Sequence, residues 1–236
     1  MSERLNEFLS NSACWGVALS IAAYGVGMWL QKKTGKSWCN PLLVGSILVI
    51  ALLSGLRLPY ADFRSSASPV HYLLLPATVS LAIPLYERWE LLKKNPAAIL
   101  IGIVSGTFTS LGSIVGLAWL LRMERMYAVT LLPKSVTTAI GMDVAKALGG
   151  MDSVAAALII LTGIAGNVLA ELVFKLFKID EPLARGIALG TSSHAIGTSK
   201  ALQLGEVEGA MGGLAIAVAG IMTAVLAPMA AALLPG

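Results

Sequence analysis

Two stretches of the chain combine small polar side chains with residues that break helices. Residues 73–86 read LLLPATVSLAIPLY, with Pro76 and Pro84 eight positions apart. Residues 186–202 read GIALGTSSHAIGTSKAL, with Gly190 and Gly197 in an otherwise helical pattern. Proline removes a backbone donor and clashes with the preceding turn, and glycine weakens a helix interior. Both stretches are therefore predicted to be discontinuous helices.

The chemistry predicted for such breaks is anion binding. A helix that restarts inside the bilayer presents unpaired N–H groups and the positive end of its dipole. Two such ends, lined with hydroxyl groups, suit a small carboxylate. The candidate hydroxyls are those of Thr78, Ser80, Thr191, Ser192, Ser193 and Thr198. The alternative is that the breaks only kink helices for packing, while the hydroxyls bond to carbonyls one turn back.

Three ionisable side chains could neutralise a bound carboxylate. Lys134, in LLPKSVTTAIG, is accompanied by Ser135, Thr137 and Thr138, and faces a cavity unless its segment is a surface helix. His194 could also carry a coupling proton, since free imidazole titrates near neutral pH. Lys200 contacts substrate or extends its amine to the membrane surface.

Two carboxylates follow the second break. Glu206 and Glu208, in GEVEG, are candidates for a gate or a proton relay. A solvated turn is the alternative interpretation of this segment.

Several other chemistries lack their motifs. There is no G-x-x-x-x-G-K-[ST] loop for ATP and no H-E-x-x-H pair, and the two cysteines and two histidines lie apart, so neither a metal nor a cofactor is expected. G-x-S-x-G is also missing, and no enzymatic activity is expected. A weaker hypothesis is an intramembrane enzyme that uses Ser193.

The elements that would position these residues are membrane spans. The 236 residues are 56% apolar and only 13% charged, against ~25% charged in soluble domains. We therefore predict an all-α polytopic protein in a lipid bilayer. Its spans are predicted at 13–31, 38–55, 70–87, 96–121, 152–175, 186–202 and 209–233. The more polar segment 130–148 is predicted to be re-entrant.

An internal repeat organises these spans. Thr, Ser, Ala and Ile of TVSLAIP recur in TSSHAIG at an offset of 113 residues, which also superimposes the flanking spans. Three spans per repeat make the two halves inverted copies, as in secondary transporters. We predict one membrane domain, 1–236, with a first helix in 1–37, repeat one in 38–126 and repeat two in 127–236.

Lysine and arginine set the predicted orientation. The basic segments 32–37, 88–95 and 175–185 are predicted to be cytoplasmic, and 149–152 and 203–208 external. The net charge of +4 arises from clusters at span ends, which argues against nucleic acid as a partner.

Several sequence blocks resemble a known family. LLPATVSLAIPLY, LLPKSVTTAIGMDVAKALGG and GTSSHAIGTSKALQLGEVEGA are similar to the LrgB/CidB family of bacterial inner-membrane proteins, which includes YohK-type proteins and plastid glycolate/glycerate translocator relatives. The similarity runs from about residue 38 to the C-terminus. Ala139 and Ala195 depart from the proline and glycine common in the family.

The resemblance implies two functions. One is secondary transport of small monocarboxylates of the pyruvate, glycolate or glycerate type across the bacterial inner membrane. The other is a holin- or antiholin-like role in regulating murein hydrolase export and autolysis. It also implies a small LrgA/CidA-type membrane protein as a partner, and homo-oligomerisation is expected for so small a carrier.

Overall fold

The computed structural model is built from helices joined by short turns and loops wherever it describes the chain. It describes residues 14–34, 41–73, 76, 79–80, 83, 86 and 89–235. The chain divides into two compact units, residues 1–80 and 81–236. No strand occurs among the described residues, as the sequence predicts.

The first unit is built on two helices that pack through glycine. Helix α1 is Trp15–Thr34 and α2 is Pro41–Gly55, and the short helices α3, Tyr60–Ser66, and α4, Ser68–Tyr72, follow. A Cβ at Gly27 would lie 2.6 Å from the Pro41 carbonyl oxygen, so only glycine allows this approach.

The second unit contains three helices that are long and apolar enough to cross a bilayer. These are α6, Pro96–Leu120, α9, Asp152–Leu176, and α11, Glu206–Ala232. The remaining helices of this unit are α5, Trp89–Lys94; α7, Arg125–Leu131; α8, Thr138–Ala147; and α10, Pro182–Leu204. Length and composition together identify an all-α membrane protein.

Helices α6 and α11 run in the same direction. Near their starts, Ile99 and Ile103 join a buried cluster with Ala210 and Met211. Near their ends, Ala118 packs in a second cluster that includes alanines of α11. We call the end where both helices begin the Pro96 end, and the other the Leu120 end.

Helix α10 is a hairpin of two half-helices, not a straight rod. His194 has φ 43° and ψ −138°, and these non-helical angles reverse the chain. Gly197 then lies directly against the Leu189 carbonyl of the first half, where any side chain would overlap it. We call residues 182–204 the histidine hairpin.

Contacts with α11 fix the path of the histidine hairpin. In its first half, Gly186 lies against Glu208, and Gly190 against Gly212. In its second half the order is reversed, since Ala201 lies near Gly212 and Leu202 against Gly209. The hairpin therefore leaves the Pro96 end and returns to it.

This path corrects two predictions. The segment 186–202 does not cross from one end of the bundle to the other, so its assignment as a span is wrong. Segments 175–185 and 203–208 lie at the same end, so their assignment to opposite sides is also wrong. Hydropathy alone misses the reversal, because one residue with positive φ redirects an otherwise helical and apolar segment.

The segment 125–147 forms a second hairpin at the Leu120 end. Helices α7 and α8 are separated by the non-helical residues 132–137, whose Ser135 lies 3.0 Å from Ser110, near the middle of α6. At the base, the Met151 N–H donates to Thr130 Oγ1 at 2.9 Å, so the chain has returned to the start of α9. We call residues 125–147 the lysine hairpin, after Lys134.

The predicted first break falls mostly outside the described residues. Thr78 and Pro84 are among the residues not described, while Pro76 and Ser80 have helical backbone. The inverted repeat consequently stays a prediction.

Candidate functional site

A cavity of about 1180 Å³ lies within the second unit. Its walls are α6, the first half of the histidine hairpin and the tip of the lysine hairpin. It extends from Asn95 and Glu181 at the Pro96 end to Ser113 and Lys134 near the middle of α6. The polar residues that line it are Asn95, Ser105, Thr109, Ser110, Ser113, Lys134, Ser135, Glu181, Thr191 and Ser192.

Lys134 is held at the inner end of this cavity by two hydroxyls. Its Nζ donates to Ser135 Oγ at 2.9 Å and lies 3.4 Å from Ser110 Oγ. The Ser110 hydroxyl donates to Ser135 Oγ at 3.0 Å, which closes a triangle between the lysine hairpin and α6. An ammonium has three N–H donors, so this arrangement leaves one for a ligand.

No carboxylate within the described ranges forms an ion pair with Lys134. The ion pairs found there are Glu90 with Lys93, Asp180 with Arg185, and Glu171 with Lys200. A partly buried ammonium at this depth is costly unless an anion or water compensates it. The inner end of the cavity is therefore electrostatically suited to an anion.

Most hydroxyls along the cavity walls already donate their protons to the helix backbone. Ser105 donates to the Gly102 carbonyl at 3.0 Å, Thr191 to Ile187 at 2.8 Å and Ser192 to Ala188 at 2.7 Å. This is the backbone-bonding alternative from the sequence analysis, and it leaves these hydroxyls as acceptors. Lys134 is thus the charged donor among the described cavity residues.

A buried apolar cluster lies between the cavity and the Leu120 end. Its ten buried residues come from α6, the lysine hairpin, α11 and the segment that follows α11. They are Leu111, Ile114, Ala118, Ala128, Val129, Leu132, Ala227, Ala230, Ala231 and Leu234. The cavity is therefore closed on this side.

The structure brings together only part of the predicted site. Lys134, Ser135, Thr191 and Ser192 share the cavity. The predicted binding residues that the structure describes and that do not line it are Ser80, Thr137, Thr138, Ser193, His194, Thr198 and Lys200.

The tip and the second half of the histidine hairpin face α9 and α11 instead. His194 Nε2 lies 2.9 Å from the Ile159 carbonyl, and Lys200 forms an ion pair with Glu171. Ser193 lies against Gly166, while Thr198 is fully buried without a hydrogen-bond partner. These residues hold the hairpin in place rather than line the cavity.

The glycines and glutamates around the second break lie between or at the ends of packed helices, away from the cavity. Gly190 lies against α11, and Gly197 lies between the two halves of the hairpin. Glu208 is buried, with its carboxylate against Gly205, and Glu206 begins α11. Neither glutamate lines the cavity.

Sequence reasoning missed two contributions. Ser105, Thr109 and Ser113 recur every fourth residue along α6, which places them on one face, and this stripe in an uncharged span is a readable signal. Glu171 was also missed as the partner of Lys200. It lies near the end of α9, and the pairing depends on a chain reversal that the sequence does not reveal.

Comparison with known proteins identifies relatives over nearly the whole chain. The model of the LrgB-like family matches residues 20–233. Antiholin-like protein LrgB of Bacillus subtilis (strain 168) is 35% identical over 95% of this chain and 98% of its own length. Antiholin-like protein LrgB of Bacillus mycoides (strain KBAB4) is 32% identical over 91% of this chain and 94% of its own.

A third relative carries no functional name. The uncharacterized protein YwbG of Bacillus subtilis (strain 168) is 35% identical over 89% of this chain and 93% of its own length. No solved structure matches the chain.

Proposed function

The chain belongs to the LrgB-like family, as its sequence blocks predict, and we propose that it carries small monocarboxylates across the bacterial inner membrane. The substrates are of the pyruvate, glycolate or glycerate type. One observation carries this proposal. Lys134 lies at the inner end of a cavity beside the candidate span α6, held by two hydroxyls and without a carboxylate partner among the described residues.

The geometry supports one bound carboxylate. The free N–H of Lys134 binds one carboxylate oxygen, and a charge-assisted hydrogen bond of this kind contributes about 1.5–3 kcal/mol. The acceptor hydroxyls of Thr191 and Ser192 lie on the opposite wall, within the same cavity. Because both hydroxyls already donate to backbone carbonyls, they can only accept a hydrogen bond. They therefore suit a substrate hydroxyl or a water beside the carboxylate, and not the carboxylate itself.

The two hairpins support transport by alternating access. We place both as re-entrant segments of a multi-pass protein, since non-helical backbone at membrane depth is tolerated where it lines a cavity. The cavity reaches the Pro96 end, while the apolar cluster closes the Leu120 end. This arrangement matches one of the two states that a carrier needs.

A second candidate function is an antiholin-like regulator of murein hydrolase export and autolysis. The names of two curated relatives state an antiholin-like role, and none of the reported names states transport. These names favour the second candidate over the first. A small LrgA/CidA-type membrane protein and further copies of this chain are proposed partners for either function. We propose no enzymatic activity.

One experiment separates the two candidates. Purified protein in proteoliposomes is given labelled pyruvate, glycolate or glycerate, and release of a trapped neutral dye is followed in parallel. Saturable uptake that falls at least about tenfold in Lys134→Met, without dye release, supports the carrier. Lys146→Met is the matched control, because Lys146 lies exposed at the other end of the same hairpin. Uptake that does not saturate, or that is equal in Lys134→Met, contradicts the carrier.

A further inference from the structure

The two faces of the histidine hairpin are packed in different ways. Towards α11 the contacts are between backbones, with Gly186, Gly190 and Gly212 allowing approaches at which a side chain would overlap. Towards α9 the contacts include polar ones, from the tip at His194 to Lys200 near the base. Both seams are close-packed, and the one with α9 also includes the apolar contacts of Ala170 and Phe174 with the hairpin. The seam with α9 differs in carrying an ion pair, which a proton can change.

The polar seam has three described attachments. His194 Nε2 lies 2.9 Å from the Ile159 carbonyl, and Asn167 Nδ2 donates to the Ile196 carbonyl at 3.3 Å. The third attachment is the ion pair of Lys200 with Glu171. It carries full charges, so it changes most when a proton is added.

Burial of this ion pair is unequal. The Lys200 side chain is 11% exposed, whereas that of Glu171 is 53% exposed. Glu171 lies near the end of α9 and is the more exposed partner, so it is the group that takes up a proton while the hairpin is closed. Once Glu171 is neutral, Lys200 is a buried ammonium that has lost its charged partner, and such a group is strongly destabilising until it reaches water or an anion.

We propose that Glu171 and Lys200 form a proton-operated latch that holds the histidine hairpin against α9. Protonation of Glu171 releases the second half of the hairpin, and the first half, which forms a wall of the cavity, moves with it. The movement serves transport only if the proposed carrier function holds, on which this part of the inference rests. The latch itself is a property of the hairpin and is measured without substrate.

Other ionisable groups lie on the elements packed around the latch. His194 is the other group whose protonation could open the seam, because it is buried there and imidazole is the side chain that ordinarily changes charge near neutral pH. Arg185 is engaged by Asp180 at 3.0 Å and by the Ile179 carbonyl at 2.7 Å. The remaining groups on α9, the 177–181 turn and α11 are Asp152, Lys175, Lys178, Glu181, Glu206 and Glu208.

Thr198 provides a reporter for release. It is fully buried on the second half of the hairpin, and its hydroxyl makes no hydrogen bond, so Thr198→Cys removes no polar contact. Ser199→Cys is the matched control, because residue 199 is exposed and corrects for the pH dependence of thiol chemistry. Both reporters are made after Cys14 and Cys39 are replaced by serine.

The experiment measures maleimide labelling of the reconstituted full chain from about pH 7 to about pH 3.5, a range that covers the reference titration of glutamate and of imidazole but not that of lysine. The Thr198→Cys rate, divided by the Ser199→Cys rate, is expected to rise at least about tenfold as the pH falls. Glu171→Gln is expected to give the high ratio at every pH. His194→Gln is expected to keep the rise.

The double variant Glu171→Gln with Lys200→Met shows whether the high ratio of Glu171→Gln comes from hairpin release or from misfolding. It removes the unpaired ammonium and is expected to restore a low ratio at every pH. A ratio that stays flat in the parent, or that rises equally in Glu171→Gln, overturns the latch, as does loss of the rise in His194→Gln alone. Loss of carboxylate uptake with an intact labelling switch overturns the carrier function and leaves the latch standing.

Discussion

The two hairpins of the second unit enter it from opposite ends and reverse in different ways. The lysine hairpin turns through six non-helical residues, 132–137, and its tip carries a cation into the cavity. The histidine hairpin turns at a single residue, His194, and points its ionisable side chains away from the cavity. One hairpin supplies the charge of the site, and the other supplies a wall that can move.

In the proposed carrier, this difference divides binding from movement between the two hairpins. The lysine hairpin is fixed to two different neighbours, through Thr130 to Met151 at the start of α9 and through Ser135 to Ser110 of α6. The histidine hairpin depends on close fit, since Gly163 and Gly166 of α9 leave room for His194 and Ser193. Replacements that add volume should therefore damage the histidine hairpin, and those that remove hydrogen bonds should damage the lysine hairpin.

The largest expected effect is that of Gly166→Val. The added side chain overlaps Ser193 at the hairpin tip, and overpacking of this kind costs about 1–3 kcal/mol or more in the free energy of unfolding. Thermal unfolding in detergent micelles measures it. Gly112→Val is the control, because a Cβ there meets no atom within 4 Å among the described residues. Equal melting temperatures for the two variants would show that the tip is not seated as described.

A smaller difference in the free energy of unfolding is expected between valine variants of two buried threonines. Thr130→Val removes the acceptor for the Met151 N–H and is expected to lower the free energy of unfolding by about 1–3 kcal/mol. Thr198→Val removes a hydroxyl that has no partner, so a change within about 0.5 kcal/mol, or a gain in stability, is expected. The same micelle assay compares them. The reverse order would contradict the assignment of hydrogen bonds to the lysine hairpin.

The smallest effect concerns the hydroxyls that orient Lys134. Ser135→Ala leaves the charge in place but removes a 2.9 Å contact to Nζ, which is expected to weaken carboxylate binding by about 1 kcal/mol, or roughly fivefold. Ser113→Ala is the matched control, because its hydroxyl donates to the Ser110 carbonyl and does not contact Lys134. Equal affinities in equilibrium dialysis of labelled glycolate would contradict this role for Ser135.

The sequence predicted much of this unit and missed specific parts of it. Apolar length located α6, α9 and α11, and the polar residues of 130–148 marked an unusual segment containing Lys134. The glycines of 186–202 predicted a helix interruption between Gly190 and Gly197, where the non-helical His194 lies. It could not predict the reversal, because glycines that kink a spanning helix and glycines that let two half-helices touch look alike in sequence. Without the reversal, the sequence pattern indicated that His194 and Lys200 contact substrate, whereas the structure places both against α9.

The central claim is that Lys134 provides the positive charge for a carboxylate in the cavity between the hairpins. Calorimetric titration of glycolate into detergent-purified protein, at constant ionic strength, tests it most directly. We expect wild-type protein and Lys146→Met to bind with similar affinity, and Lys134→Met to bind at least about tenfold more weakly. Equal affinity in Lys134→Met and wild-type protein would contradict the account.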